Sequence, residues 1–175
     1  MQLFNKALSQ GQGLAPALVA RAPYVSLTWD VRQKSRFDAA ASNGVNVGVF
    51  LPRGTVLRGG DVLVSTEGEL LRVQGAEQQV MRITPCATHG TAFDLVRAAY
   101  HLGNRHVPIE LTPQHLHIEP DHVLADMLRA MHLVVTTTQA TFEPEAGAYS
   151  SHGGHTHHHG DAAHSHSHAS ANDHH

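Results

Sequence analysis

Cysteine is almost absent: Cys86 is the single thiol in 175 residues. A lone cysteine excludes an intramolecular disulfide framework and fits a reducing compartment. Aromatic residues are scarce as well, at 5% against 41% hydrophobic overall. Any core must therefore be built mostly from Val, Leu and Ala. No stretch approaches the 18 or so consecutive apolar residues of a membrane span. Residues 1–10 lack the basic start and long apolar run of a signal peptide. Together these absences lead to an expectation of a cytoplasmic protein with no membrane association. There is no His-Glu-x-x-His pair and no Gly-x-x-x-x-Gly-Lys-Ser/Thr loop, so neither a zinc hydrolase nor a nucleotide hydrolase is signalled, and the expectation is that the chain is not an enzyme.

Fixed positive charge is missing from one end. Residues 1–75 carry eight Lys/Arg against five Asp/Glu, a balance of +3; residues 76–143 carry four against seven, −3; residues 144–175 carry none against three, −3. The last stretch is instead crowded with histidine, which accounts for ten of the 17 in the chain: His152, His155, His157, His158, His159, His164, His166, His168, His174 and His175. A nucleic-acid arm needs Lys or Arg to meet phosphate at neutral pH, so none is expected. The basic run Arg32, Lys34 and Arg36 reads as one strand face, more suited to solvent or protein docking than to phosphate.

The length allows one medium domain or two small ones. Residues 1–75 read as β structure, a small barrel or sandwich. Val25, Leu27, Trp29 and Val31 alternate with polar neighbours, as do Val45, Val47, Val49 and Leu51. Val62-Leu63-Val64 and Leu70-Leu71-Arg72-Val73 flank a turn and predict a hairpin. From residue 76 the pattern changes. Val80 to Ile83 predicts a strand. Thr91 is placed to cap a helix over residues 92–101, with Phe93, Val96, Ala99 and Tyr100 on its apolar side. Gly103 and Asn104 are a natural stop because both tolerate positive φ. A short strand over 108–111, another through Leu116 and Ile118, a helix capped by Asp121 and a strand over 133–142 follow. The order β-α-β-β-α-β is the ferredoxin-like arrangement, giving an α+β chain with boundaries at 1–75, 76–149 and 150–175. The last segment has no periodicity and is expected to be disordered without metal.

Neutral imidazole is a good ligand for nickel, copper, zinc and cobalt. Flexible spacing lets several tail rings converge on one ion, which suits loose capture. In the folded part, His106 stands on the turn just past the helix stop, where a ring can project freely, and His101 lies near the helix end. His115, His117 and His132 read as surface or partly buried side chains, with His117 a candidate secondary ligand. Cys86 reads as packed or idle. One His106 is too few for a good site. A two-fold dimer places two copies on the symmetry axis, and the tail can complete the coordination.

Tyr100-His-Leu-Gly-Asn-Arg-His106-Val-Pro108, Asp121-His-Val-Leu-Ala-Asp-Met-Leu-Arg129 and Phe142-Glu-Pro-Glu-Ala-Gly-Ala-Tyr149, with the histidine-rich end, closely resemble the urease accessory metallochaperones of the UreE family. The front half is similar too, through Trp29-Asp-Val-Arg-Gln-Lys-Ser-Arg36, Leu51-Pro-Arg-Gly54 and Gly60-Asp-Val-Leu63. The resemblance implies a peptide-binding front domain, a ferredoxin-like metal-binding domain and a homodimer. That dimer would capture Ni(II), with Zn(II) or Cu(II) also able to bind, and supply it to the urease apoprotein complex with an accessory GTPase. It further implies that His106 is the central dimer-interface ligand and that His101 and His122 match peripheral ligands. Pro120 stands where some members carry another histidine, so His117 or His115 would have to substitute there.

Overall fold

The computed structural model describes residues 1–147. Two sheets are built in succession. The first holds β1 (Gln2–Leu8), β2 (Tyr24–Leu27), β3 (Arg36–Ala40), β4 (Asn46–Phe50), β5 (Val62–Ser65) and β6 (Leu70–Gly75), in the order β2-β6-β5-β1-β4-β3. β1 runs parallel to β4 and β2 to β6, while the remaining pairs are antiparallel. The sheet nearly closes on itself. Just beyond β3, the Ser42 N–H donates to the Tyr24 carbonyl at 2.8 Å, and the Tyr24 N–H donates back to Ser42 Oγ at 3.0 Å. Phe4, Val25, Val49, Leu57, Leu63 and Leu71 fill the interior with at most 1% exposure. The β5–β6 hairpin forms as the sequence predicts, with Ser65 Oγ accepting from the N–H groups of Glu67 and Glu69 across a turn that places Gly68 at φ 84°.

The alternation read over residues 25–31 does not persist as one strand. β2 ends at Leu27, and a single helical turn, α2 (Trp29–Arg32), follows a short helix α1 (Pro16–Arg21) that precedes β2. Trp29 and Arg32 both face inward, and residues three apart share a side only on a helix. The Trp29 N–H donates to Gln78 Oε1 at 2.7 Å, which fixes the turn. Arg32 is consequently buried, at 0% exposure, and does not share a solvent face with Lys34 and Arg36.

The second sheet comprises β7 (Glu77–Pro85), β8 (Glu110–Leu111), β9 (Leu116–Ile118) and β10 (Leu133–Thr141), all antiparallel, in the order β10-β7-β9-β8. Helix α3 (Ala92–Gly103) joins β7 to β8, and α4 (His122–Ala130) joins β9 to β10. Both caps form. The Asp94 carboxylate accepts from the Thr91 N–H and hydroxyl, and the Asp121 carboxylate accepts from the Leu124 N–H at 2.9 Å. Of the four residues expected on the buried side of α3, only Ala99 packs against the core, and the rest lie on the opposite side. Leu95, Ala98 and Leu102 enter the core with Ile83, Ile118 and Leu128, while Phe93, Val96 and Tyr100 are 66%, 59% and 66% exposed. The helix is apolar on two faces, so periodicity alone could not choose between them. Nor does the left-handed residue fall at Gly103 or Asn104. Asn104 keeps helical angles, and the positive φ of 57° belongs to His106.

A small third cluster of Trp29, Val80 and Phe142 joins the two sheets. Around it, the buried Arg32 guanidinium binds the Glu143 carboxylate and donates to the Phe142 carbonyl. Arg58 lies 4.9 Å over the Trp29 ring and donates to the Pro144 carbonyl. Burial pulls the Arg32 pKa down and Glu143 opposes that pull. Glu143 also accepts from the Gly59 N–H at 3.0 Å. The charge of this buried guanidinium is met by Glu143 and both Nη atoms are bonded, while its buried Nε has no hydrogen-bond partner.

Candidate metal centre

The corner after α3 is pinned from below. Leu102, fully buried, accepts at its carbonyl from the N–H groups of Arg105 (3.0 Å) and Val107 (3.2 Å), and the His106 N–H donates to the Gly103 carbonyl at 2.9 Å. Arg105 Nη1 donates to the His101 carbonyl at 2.9 Å. Ile109 then turns inward and β8 begins. His106 is thus an exposed side chain on a rigid, left-handed corner between two buried anchors. His101, half-buried one turn earlier, meets the Tyr100 ring edge-on at 5.4 Å between centroids. His122 is exposed in the first turn of α4.

His117 differs from these three. It is buried on β9, with Nδ1 3.5 Å from Glu110 Oε2 and no hydrogen bond at that nitrogen. The His115 ring lies 4.5 Å away, and burial, with Arg82 and His117 nearby, lowers the His115 pKa and favours its neutral form. Among the described residues, no three His, Cys, Asp or Glu side chains gather closely enough to hold an ion. Among the described residues, one copy of the chain brings His115 and His117 together but does not gather the exposed His106 and His122 and the half-buried His101 into one cluster. The ten tail histidines, His152 to His175, lie outside the described residues.

The root of the tail is described, and every residue of it is held. The Glu143 N–H donates to Glu110 Oε2 at 3.0 Å, and the Glu145 N–H donates to the Ile109 carbonyl at 2.7 Å. Phe142 and Pro144 are buried. Glu145 is thereby held against Ile109, three positions after His106.

Sequence reasoning passed over one cluster. Cys86 is half-exposed, with Sγ 3.2 Å from Thr88 Oγ1 and 3.4 Å from His89 Nδ1. Hydrogen bonds from the Thr88 hydroxyl, and then from the Thr88 and His89 backbone, pull the thiol down to about 6. The Cys-x-x-His spacing just ahead of the α3 cap was the available signal.

Fold and site define a two-domain protein that presents histidines at an exposed corner. Residues 4–76 match the model of the UreE urease accessory protein N-terminal domain, and residues 78–168 match that of its C-terminal domain. A urease accessory protein UreE of Albidiferax ferrireducens is 67% identical over 159 residues, covering 91% of each chain. That of Paracidovorax citrulli is 70% identical over 151 residues, 86% of this chain and 71% of the relative. That of Acinetobacter baumannii is 52% identical over 128 residues, 73% and 78% respectively. The chain belongs to the UreE family of urease accessory proteins, and its role lies in urease maturation.

Proposed function

We propose that the chain is a metallochaperone without catalytic turnover, which captures Ni(II) and delivers it for assembly of the urease metallocentre. The observation that carries this reading is the isolated, exposed His106 on its fixed corner, with Phe93, Val96 and Tyr100 exposed along the adjoining helix. An apolar stripe of this kind is suited to burial against a second copy. A homodimer formed there brings two His106 rings to one ion, as neutral imidazole ligands require. His101 and His122 serve as peripheral ligands. His117, buried beside Glu110, is the least accessible of the proposed set. The tail gathers Ni(II), and Zn(II) or Cu(II) enter the same imidazoles. Residues 76–149, in a ferredoxin-like arrangement supported by the β10-β7-β9-β8 order, dimerise and hold metal. Residues 1–75 dock protein partners, and delivery involves the accessory GTPase and the urease apoprotein complex in the cytoplasm.

Calorimetric nickel titration tests the division of labour. His106→Ala is expected to remove the tightest site and leave the weak ones. Truncation after Tyr149 is expected to lower stoichiometry more than the highest affinity. Equal loss of both classes in either variant would refute the arrangement.

A further inference from the structure

The outer side of the first sheet carries exposed cations, two of which have no carboxylate partner among the described residues. Residues 33–36 and 51–53 line an open groove at the end of the β3–β4 ladder, where the Leu51 N–H donates to the Ser35 carbonyl at 2.7 Å. Lys34, Arg36 and Arg53 are all exposed there. Lys34 meets Asp30 at 2.6 Å, but among the described residues neither Arg36 nor Arg53 has a carboxylate partner. Arg36 lies opposite Phe50 in the ladder, with its guanidinium 5.9 Å from the ring centroid.

Beyond Phe50 the surface becomes apolar. Phe50, Leu3 and Met1 are 45%, 46% and 77% exposed. A Cβ added to Gly48 would fall 3.0–3.3 Å from atoms of all three, so these side chains meet over the bare backbone of Gly48. The result is a strip with cations at one end and apolar side chains at the other, laid across neighbouring strands.

We propose that this strip, formed by Lys34, Arg36, Arg53, Phe50 and Leu3, docks an acidic segment of another polypeptide that carries apolar side chains among its carboxylates. Charge complementarity selects the acid, since unpaired cations at an interface steer and orient an oppositely charged partner. The apolar end selects a peptide over a nucleic acid. A phosphate backbone continuing past Arg36 would meet the exposed Asp38, opposite Gly48, and then Leu3 and Met1, none of whose side chains donates to phosphate. Three cations are also few against the roughly 6–10 phosphate contacts of strong salt-dependent binding. The inference rests on the docking role proposed for residues 1–75, not on nickel.

Fluorescence anisotropy of the full chain with a labelled peptide of repeating Glu-Glu-Leu tests it, with a Gln-Gln-Leu peptide and a short DNA duplex alongside. Saturable binding of the Glu peptide is expected, weakened at least about tenfold in the Arg36→Glu, Arg53→Glu double variant and weakened also by Phe50→Ser. Should the double variant lose its fold by circular dichroism, Arg36→Gln with Arg53→Gln carries the same expectation. Absence of saturable binding, indifference to these substitutions, equal binding of the Gln peptide, or tighter binding of DNA would overturn it. If peptide binding fails while the urease apoprotein complex is still captured, the groove alone is rejected. If both fail, the docking role falls with it.

Discussion

His106 combines two properties that substitution can separate. Its φ of 57° is unfavourable for any residue with a Cβ, and its ring is the proposed central ligand. His106→Gly relieves the backbone and removes the ring. Thermal denaturation should show it as stable as the parent or more so, by up to about 1 kcal/mol, while tight nickel binding disappears. His106→Ala should lose the tight nickel site without that gain. A destabilised glycine variant would show that the imidazole itself holds the corner. The sequence marked His106 correctly as a projecting turn residue but put the left-handed angle on Gly103 or Asn104. Residue preference pointed there, and the buried Leu102 carbonyl, which gathers the returning N–H groups, is a tertiary fact. Cys86 offers a second check at this scale. With its thiol drawn down from an ordinary 9.0 to about 6, the folded form favours thiolate above that pH and loses it on acidification. Alkylation by iodoacetamide should therefore approach its plateau rate by pH 7, and Thr88→Val should move the midpoint upward. A midpoint near 9 in the parent protein would show that the hydrogen bonds around Sγ do not hold in solution.

At the level of elements, local chemistry was legible where it is self-contained. The hairpin through Ser65, the caps at Thr91 and Asp121 and the strands from residue 77 onward follow from spacing and turn residues. β1 escaped because its ladder to β5 shifts register between Phe4 and Lys6, which breaks the period of two. β3 escaped because its inward positions, Phe37 and Ala39, are only partly buried and one of them is small. The buried side of α3 was missed for a reason that bears on the proposed function, since the exposed apolar row is the surface on which the proposed dimer rests. α4 gives the clearest energetic test. Asp121→Ala should cost about 1 kcal/mol in chemical denaturation, and Asp121→Asn should retain most of that. Equal losses would indicate that charge, and not the acceptor on the Leu124 N–H, supports the cap.

Across the whole molecule, the two sheets are joined through ionised groups as well as apolar ones. Glu143 is the hub, shared by Arg32, Arg58 and the Gly59 N–H. Glu143→Ala leaves the fully buried Arg32 without its counter-charge, and a loss of about 3 kcal/mol is expected on unfolding. Methionine at both 32 and 143 should recover part of it. No loss on alanine substitution would mean that water replaces the carboxylate. This junction was invisible in sequence because the partners of Glu143 lie 84 to 111 positions away from it. It also complicates any deletion of residues 1–75, which would uncover Phe142 and Val80 and strand Glu143.

The anchored stretch at Phe142–Glu145 fixes the point from which the sequence runs on to its histidine-rich end. Glu145 is tied to Ile109, three positions after His106, and His152 follows seven positions later. A fully drawn chain of seven residues spans at most about 25 Å, which bounds the distance from Glu145 to the first tail imidazole. In the proposed capture role, the ligand concentration at the corner depends on the intervening length of chain, falling roughly as its −3/2 power. Inserting a Gly-Ser spacer after Gly147 should lower nickel retention measured by competition with a chelator, while leaving every histidine in place. Retention that ignores the spacer would mean that the imidazoles act without regard to where they are tethered.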